Sequence, residues 1–541
     1  MGNKLLRGTF VLTLGTYISR ILGMIYIIPF YAMVGTAGSA LYQYGYAPYA
    51  IFLSVATAGF PAGVSKYVAK YNALGDYKTS RRMFKGGLAV MLLTGFLAFA
   101  VLYFLAPVFA ESSLGGQEKD GVTVDDVVLI IRMVSLALIV VPIMSLIRGF
   151  FQGHQSMGPT AVSQVVEQIV RIAFLLGATY YILKIYDDGL VLAIGYATFA
   201  AFVGAVGGLA VLFFYWMKRK NSLTAMRENA VESADIPYSK MFGELFRYAG
   251  PFVFVGLAIP LYIWIDTNTF NKAMTDAGYG DVSQDVFAVL TLLVPKLVMI
   301  PVSLATAFGL TLIPAVTESF TSGNRRLLTS QIDQTLQMIM FLVLPAVVGL
   351  SILAGPAYTF FYRGEAETFG PAILAMFAPA ALLFSLFTVN AAILQGINKQ
   401  KLAVISLVIG VLIKLSLNVP LIHLFQGAGS ILATVLGYSA SLIYGFAMIK
   451  RHAKYSFKKF FKRSVFIMIL AVFMGLVVSV VQSISGIFID YSESRINALI
   501  VLILAIGAGA GSYLYLAYRS HLLEKIIGNR FSRFFRRKAR G

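Results

Sequence analysis

Along the whole chain, apolar runs of about 20 residues or more, enough to cross ~30 Å of hydrocarbon as helix, alternate with short polar connections. The runs fall at 9–34, 41–69, 84–110, 127–151, 158–183, 190–217, 247–270, 285–316, 333–355, 371–395, 402–425, 428–449, 464–488 and 496–518. This pattern predicts an all-α polytopic membrane protein of about fourteen transmembrane helices. The connections alternate in sign. Even-numbered ones carry Lys78, Arg81, Arg82 and Lys85, then Lys218, Arg219 and Lys220, then Arg325 and Arg326, then Lys399 and Lys401, then the run from Lys450 to Arg463. Odd-numbered ones are neutral or acidic, with Glu111, Glu118, Asp120, Asp125 and Asp126 after helix 3 and Asp187 and Asp188 after helix 5. Basic short loops stay on the cytoplasmic side, so both termini are expected there. The first run is too long for a signal-peptide core and lacks a small-residue cleavage site, so it is expected to stay as a helix.

The polar positions inside the runs repeat. Gln152-Gly153 followed by Ser163 and Arg171 recurs 243 residues later as Gln395-Gly396 followed by Ser406 and Lys414. A second echo pairs Ser54 to Ala58 and Pro61 with Ser303 to Ala307 and Pro314. Duplication in an apolar chain predicts two pseudo-twofold six-helix bundles with a substrate site between them. The expected division is 1–220 for the first bundle, 221–246 for a cytoplasmic linker, 247–450 for the second bundle, 451–519 for two extra helices and 520–541 for a basic tail. Pro29, Pro61, Pro142, Pro260, Pro301 and Pro314 are expected to mark kinks or hinges, and Gly204 to Gly208 close helix packing.

Composition agrees: 58% of residues are hydrophobic and 13% charged, with a mean hydropathy of +0.79, against about 25% charged residues in soluble domains. The net charge of +20 is largely the topological signal and gives no argument for nucleic acid. The tail from Arg519 to Arg540 is expected against anionic headgroups, or as a plain stop-transfer anchor. There is no cysteine, which excludes disulfides and thiolate metal sites, and the four histidines are scattered. No phosphate-binding loop, dinucleotide fingerprint or nucleophile elbow is present, so the chain is read as no enzyme, with no metal and no cofactor.

Ionisable residues deep in a membrane helix are costly and normally face a polar cavity with a partner. Arg20 lies in helix 1, Glu167 and Arg171 in helix 5, Lys296 in helix 8 and Lys414 in helix 11, with Asp266 shallower in helix 7. Glu167 and Arg171, four apart, are expected to form an intrahelical ion pair that either lines the cavity or only braces the bundle. Arg171 and Lys414, equivalent in the two repeats, are expected to face one cavity from opposite walls, which favours an anionic substrate. Asp266, Asn418 and Thr434 could hold a monovalent cation or make ordinary interhelical hydrogen bonds. Lys414 could supply the positive charge beside them itself.

The chain resembles the MOP superfamily of exporters and, within it, the MurJ lipid II flippases, above all the YtgP-type, stage V sporulation protein B-like branch of Gram-positive bacteria. The resemblance spans about residues 1–520. It rests on Ser19-Arg20 with Gly23, on Lys296, Pro301, Ala307-Phe-Gly309 and Pro314, and on the stretches Arg148 to His154 and Asn390 to Asn398. Two cavity arginines of the Gram-negative members fall at Tyr26 and near Phe52, and a glutamate falls at Met299, so those roles do not carry over. The resemblance implies movement of undecaprenyl-pyrophosphate-linked disaccharide pentapeptide from the inner to the outer leaflet of the bacterial cytoplasmic membrane for peptidoglycan synthesis. It also implies that helices 13 and 14 make a groove for the lipid tail.

Residues and resemblance meet at a pyrophosphate held by Arg20, Arg171, Lys296 and Lys414, with Glu167 as ion-pair partner and alternating access as the mechanism. A flippase for another undecaprenyl-linked glycan, of capsule or exopolysaccharide, has the same chemistry. A multidrug antiporter would want an acidic cavity, and a membrane glycosyltransferase catalytic carboxylates on a large loop. Coupling to a monovalent cation or to membrane potential is open. The expected partners are the lipid-linked glycan, membrane lipids and the cell wall synthesis or division machinery, with the monomer as the working unit.

Overall fold

The computed structural model describes residues 2–57, 59–114, 122–186, 189–228 and 237–527. It divides into two compact units, Met1–Lys272 and Ala273–Gly541. The first contains α1 (Gly2–Ile25), α2 (Ile27–Thr57), α3 (Phe60–Ala73), α4 (Tyr77–Phe104), α5 (Ala106–Leu114), α6 (Val124–Ser135), α7 (Ala137–Gly153), α8 (Met157–Tyr181), α9 (Leu190–Glu228), α10 (Tyr238–Gly256) and most of α11 (Ala258–Asp276). The second contains α12 (Ser283–Ala288), α13 (Val294–Thr321), α14 (Arg325–Ile352), α15 (Ala354–Tyr362), α16 (Gly370–Phe377), α17 (Ala380–Gly396), α18 (Gln400–Phe425), α19 (Gly427–Ala453), α20 (Lys458–Phe488), α21 (Arg495–Arg519) and α22 (Leu522–Ile527).

Eleven helical stretches among the described residues are long and apolar enough to span a membrane, or up to twelve if the bent pair formed by α1 and α2 is one span. They match eleven of the fourteen expected runs. The other three, 9–34, 41–69 and 247–270, are broken. Prolines explain two of the breaks, because a proline has no N–H to offer the carbonyl four residues earlier. Helix α1 ends at Ile25, four residues before Pro29, and α10 ends at Gly256, four before Pro260. Helix α2 is itself interrupted at Gly35, whose φ of 62° and ψ of −161° are not helical. Pro61 interrupts nothing, since it lies in the first turn of α3, where a missing N–H costs little.

The duplication is visible in backbone detail within each unit. Helices α7 and α17 both end in a turn with a left-handed non-glycine residue, Gln155 (φ 53°) and Asn398 (φ 58°). Ser156 N donates to Phe151 O at 2.9 Å, and Lys399 N to Leu394 O at 2.8 Å. Likewise Gly75 (φ 75°) and Gly323 (φ 69°) precede Asp76 and Asn324, whose side chains cap the next helices on Thr79 N and Leu327 N. Gly153 and Gly396 let helices touch: an added Cβ would stand 2.7 Å from Val68 Cβ and 2.6 Å from Val316 Cγ1.

The expected linker is helical at both ends, in α9 and α10, and Met241 and Leu245 of α10 are buried in a core with Phe60, Val64, Phe84 and Phe150. Outer faces such as Leu93, Phe96 and Phe104 of α4, or Val465, Ile469 and Leu476 of α20, are exposed, as faces turned to hydrocarbon must be. Helices α20 and α21 are fastened to α14. Asp333 accepts from Lys459 Nζ at 2.9 Å, Gln337 Nε2 at 2.6 Å and Tyr455 Oη at 3.1 Å, and Tyr513 Oη donates to Phe341 O at 2.9 Å. Burial and the Asp333 carboxylate hold the Tyr455 phenol well above its usual range, so it stays a donor.

Candidate functional site

In the first unit the chemistry gathers on one stripe of α8, where Ser163, Glu167 and Arg171 follow at intervals of four and so share a face. Helix α9 lies on this stripe because its facing residues are glycines. A Cβ on Gly204 would stand 2.7 Å from Arg171 Cβ and 2.9 Å from the Glu167 carbonyl oxygen, and one on Gly208 would stand 2.8 Å from Met144 Sδ.

The expected pairing of Glu167 with Arg171 is not formed. Glu167 Oε2 accepts instead from Arg148 Nη2 of α7 at 2.7 Å, with the side chains 23% and 12% exposed. Arg148 also donates to Ser163 Oγ through Nε at 3.1 Å and Nη2 at 2.7 Å, and Ser163 Oγ donates to the Gly208 carbonyl at 2.9 Å. One network thus ties α7, α8 and α9. The forked guanidinium of Arg148 reaches carboxylate and hydroxyl together, which stabilises this pairing over a single contact along the helix.

Arg171 turns to α2. Its Nη2 donates to Tyr42 Oη at 3.2 Å, and its guanidinium lies 5.6 Å from the centre of the Tyr46 ring. Tyr42 and Tyr46 stack at 5.4 Å, Tyr46 and Tyr49 are 5.2 Å apart, and Phe30 meets Tyr42 edge-on at 5.5 Å. Tyr26 packs on Phe30 at 6.4 Å. A phenol oxygen and a ring face attract a cation without cancelling its charge. Arg171 therefore keeps a whole positive charge in a largely buried setting.

Arg20 is exposed on α1, which lies along α8: Thr16 Oγ1 donates to Gln164 Oε1 at 3.1 Å, and a Cβ on Gly15 would stand 2.8 Å from Ala161 Cβ. The helix carrying Arg20 is thereby set beside the helix carrying Arg171.

In the second unit Lys414 is fully buried. Its Nζ donates to Ser430 O and Ser430 Oγ, both at 3.0 Å, and to Thr434 Oγ1 at 2.9 Å. Asn418 is buried one turn along α18 and Lys296 is half-buried on α13. Of the three residues expected around a cation, Thr434 is a ligand of the Lys414 amine, Asn418 shares its helix, and Asp266 is buried on α11 in the first unit.

The repeat explains why Arg171 and Lys414 have diverged. Ser163 donates to Gly208 O in one unit, and Ser406 donates to Ser441 O at 2.7 Å in the other. In that register Ala197 and Ala201 of α9 stand where α19 has Ser430 and Thr434. Helix α19 offers its cation hydroxyls, and α9 offers methyls. Sequence reasoning missed Arg148, Tyr42 and Tyr46. The signals available were Arg148 in a family stretch and the density of tyrosines from Tyr42 to Tyr49.

The family described as polysaccharide biosynthesis protein matches residues 5–320. The lipid II flippase MurJ of Bacillus subtilis (strain 168) is 65% identical over 99% of both chains. Stage V sporulation protein B of the same organism is 27% identical over 76% of each chain. Among solved structures, a lipid II flippase MurJ in an inward closed conformation aligns with a TM-score of 0.67 at 14% identity, over 96% of this chain and 100% of that one.

Proposed function

We propose, for a chain that belongs to the family of MurJ lipid II flippases and to the wider polysaccharide biosynthesis proteins, that its cargo is lipid II and that its task is moving the headgroup across the cytoplasmic membrane. The match along 99% of both chains at 65% identity carries this reading. Its physical counterpart is Arg171, a cation held by neutral partners. A pyrophosphate cannot cross hydrocarbon alone, and a guanidinium in low dielectric binds it in a forked, charge-assisted way.

The headgroup contacts are assigned to Arg20, Arg171 and Lys296. Lys414, already bonded to oxygens of α19, is assigned to bracing α18 on α19. The bundles load the headgroup on the cytoplasmic side and release it outside while the polyprenyl tail stays in lipid beside α20 and α21. Membrane potential acting on the cationic site, or a monovalent cation, supplies the drive. Both termini are cytoplasmic and the monomer is the working unit.

The test is complementation of a strain depleted of its flippases, with an assay of which leaflet lipid II occupies. Arg20→Ala and Arg171→Ala should insert normally and fail to flip. Full complementation by either removes that residue from the site, and unchanged leaflet occupancy on depletion, with a capsule or exopolysaccharide lipid trapped inside, overturns the cargo.

A further inference from the structure

The charge of Arg171 is left uncompensated because the carboxylate nearest to it along the chain is held by another residue. Glu167 lies one turn away on the same face of α8, in the spacing at which Glu and Arg pair readily. It is bound instead by Arg148 of α7 at 2.7 Å, while Arg171 meets, among the described residues, a phenol oxygen at 3.2 Å and a ring face at 5.6 Å. Ser163 fixes the Arg148 fork by accepting two of its hydrogen bonds, and the Gly208 carbonyl fixes Ser163. Gly204 and Gly208 leave no room for Glu167 to be displaced toward α9, since Cβ atoms there would stand 2.9 Å from its carbonyl oxygen and 3.1 Å from its Cβ.

We propose that Arg148 is a positioning residue for cargo: by sequestering Glu167 it leaves the charge of Arg171 uncompensated and available to an anionic headgroup, which Arg148 does not itself touch. The inference rests on the reading of Arg171 as a headgroup ligand. Removing the Arg148 charge releases a carboxylate next to Arg171, and an ion pair within α8 then competes with the phosphate oxygens. Removing the Glu167 charge as well abolishes that competitor. A purely structural role for Arg148 gives no such rescue.

The experiment uses the purified full chain in nanodiscs, titrated with undecaprenyl pyrophosphate. Arg148→Gln, which can still bond Ser163, should weaken binding on the order of ten- to a hundredfold, the worth of one hydrogen bond to a charged group. Arg148→Gln combined with Glu167→Gln should recover binding to within about threefold of wild type. Arg148→Lys keeps the charge but not the fork and should bind as the wild type does. A double variant as weak as Arg148→Gln overturns the proposal, and so does an Arg148→Lys variant as weak as Arg148→Gln. Absence of binding by the wild type has a different meaning, since it sinks the headgroup reading of Arg171 and the positioning role with it.

Discussion

At the scale of single residues, the two repeat-equivalent cations show that position in a duplicated sequence does not fix surroundings. The spacing that makes Arg171 and Lys414 equivalent was plain in the sequence. What each touches was not, because it depends on Ala197 and Ala201 against Ser430 and Thr434, small residues whose register is set only when α8 lies on α9 and α18 on α19. The same limit applies to Glu167: spacing within one helix pointed to Arg171, and the partner came from 19 residues away on another helix. Lys414→Ala is expected to cost about 2–5 kcal/mol of stability, as for other large-to-small changes of buried side chains, because it also takes a donor from Ser430 O, Ser430 Oγ and Thr434 Oγ1. It should show as a lowered Tm of the purified protein together with reduced flipping. A variant with unchanged Tm and no flipping would instead return Lys414 to the cargo site. Tyr42→Phe should leave Arg171 mobile rather than absent, weakening undecaprenyl pyrophosphate binding by about fivefold, less than the full worth of one charge-assisted hydrogen bond because only the placement of Arg171 is lost; equal binding by Tyr42→Phe and wild type would make the phenol a bystander.

At the scale of elements, hydropathy recovered the helices wherever the backbone is continuous and misjudged them where it is not. A window of apolar residues cannot see that Pro29 and Pro260 each leave a carbonyl without its donor, so the first run and the seventh looked like ordinary spans. The glycines from Gly204 to Gly208 were legible as close packing, and the structure adds what they pack against. Gly204→Ala should force α9 away from Glu167 and Arg171 and cost about 1–3 kcal/mol, the usual range for overpacking, read as a lower Tm with impaired flipping. A neutral Gly204→Ala would mean that the contact yields easily. Asp333→Asn should loosen α20 from α14 by about 1–3 kcal/mol, chiefly by weakening the hold on Tyr455, just before α20, and on Arg463 within it. Lys459 is 61% exposed and its charge adds little in water. Protease accessibility of the segment joining α19 to α20 would detect it.

At the scale of the whole molecule, the alternation of basic and acidic connections commits the chain to a sidedness. Tags at Lys220 and at the C-terminus should be unreachable from outside intact protoplasts, and cysteines at Gly116 and Asp188 should be labelled there. Gly116, Asp188 and the C-terminal residue lie outside the described residues, so the sequence alone carries those sites. The native chain has no cysteine and so gives no background; labelling of the opposite sense would invert the topology. The exchange of two alanines for a serine and a threonine has a consequence for descent. After a gene doubles, each copy is free to change side chain by side chain. Here a serine and a threonine in one copy, at the register where the other copy has alanines, give Lys414 hydroxyl partners that α9 does not offer. The difference lies in side chains, while the turns that follow α7 and α17 keep the same backbone form in both copies.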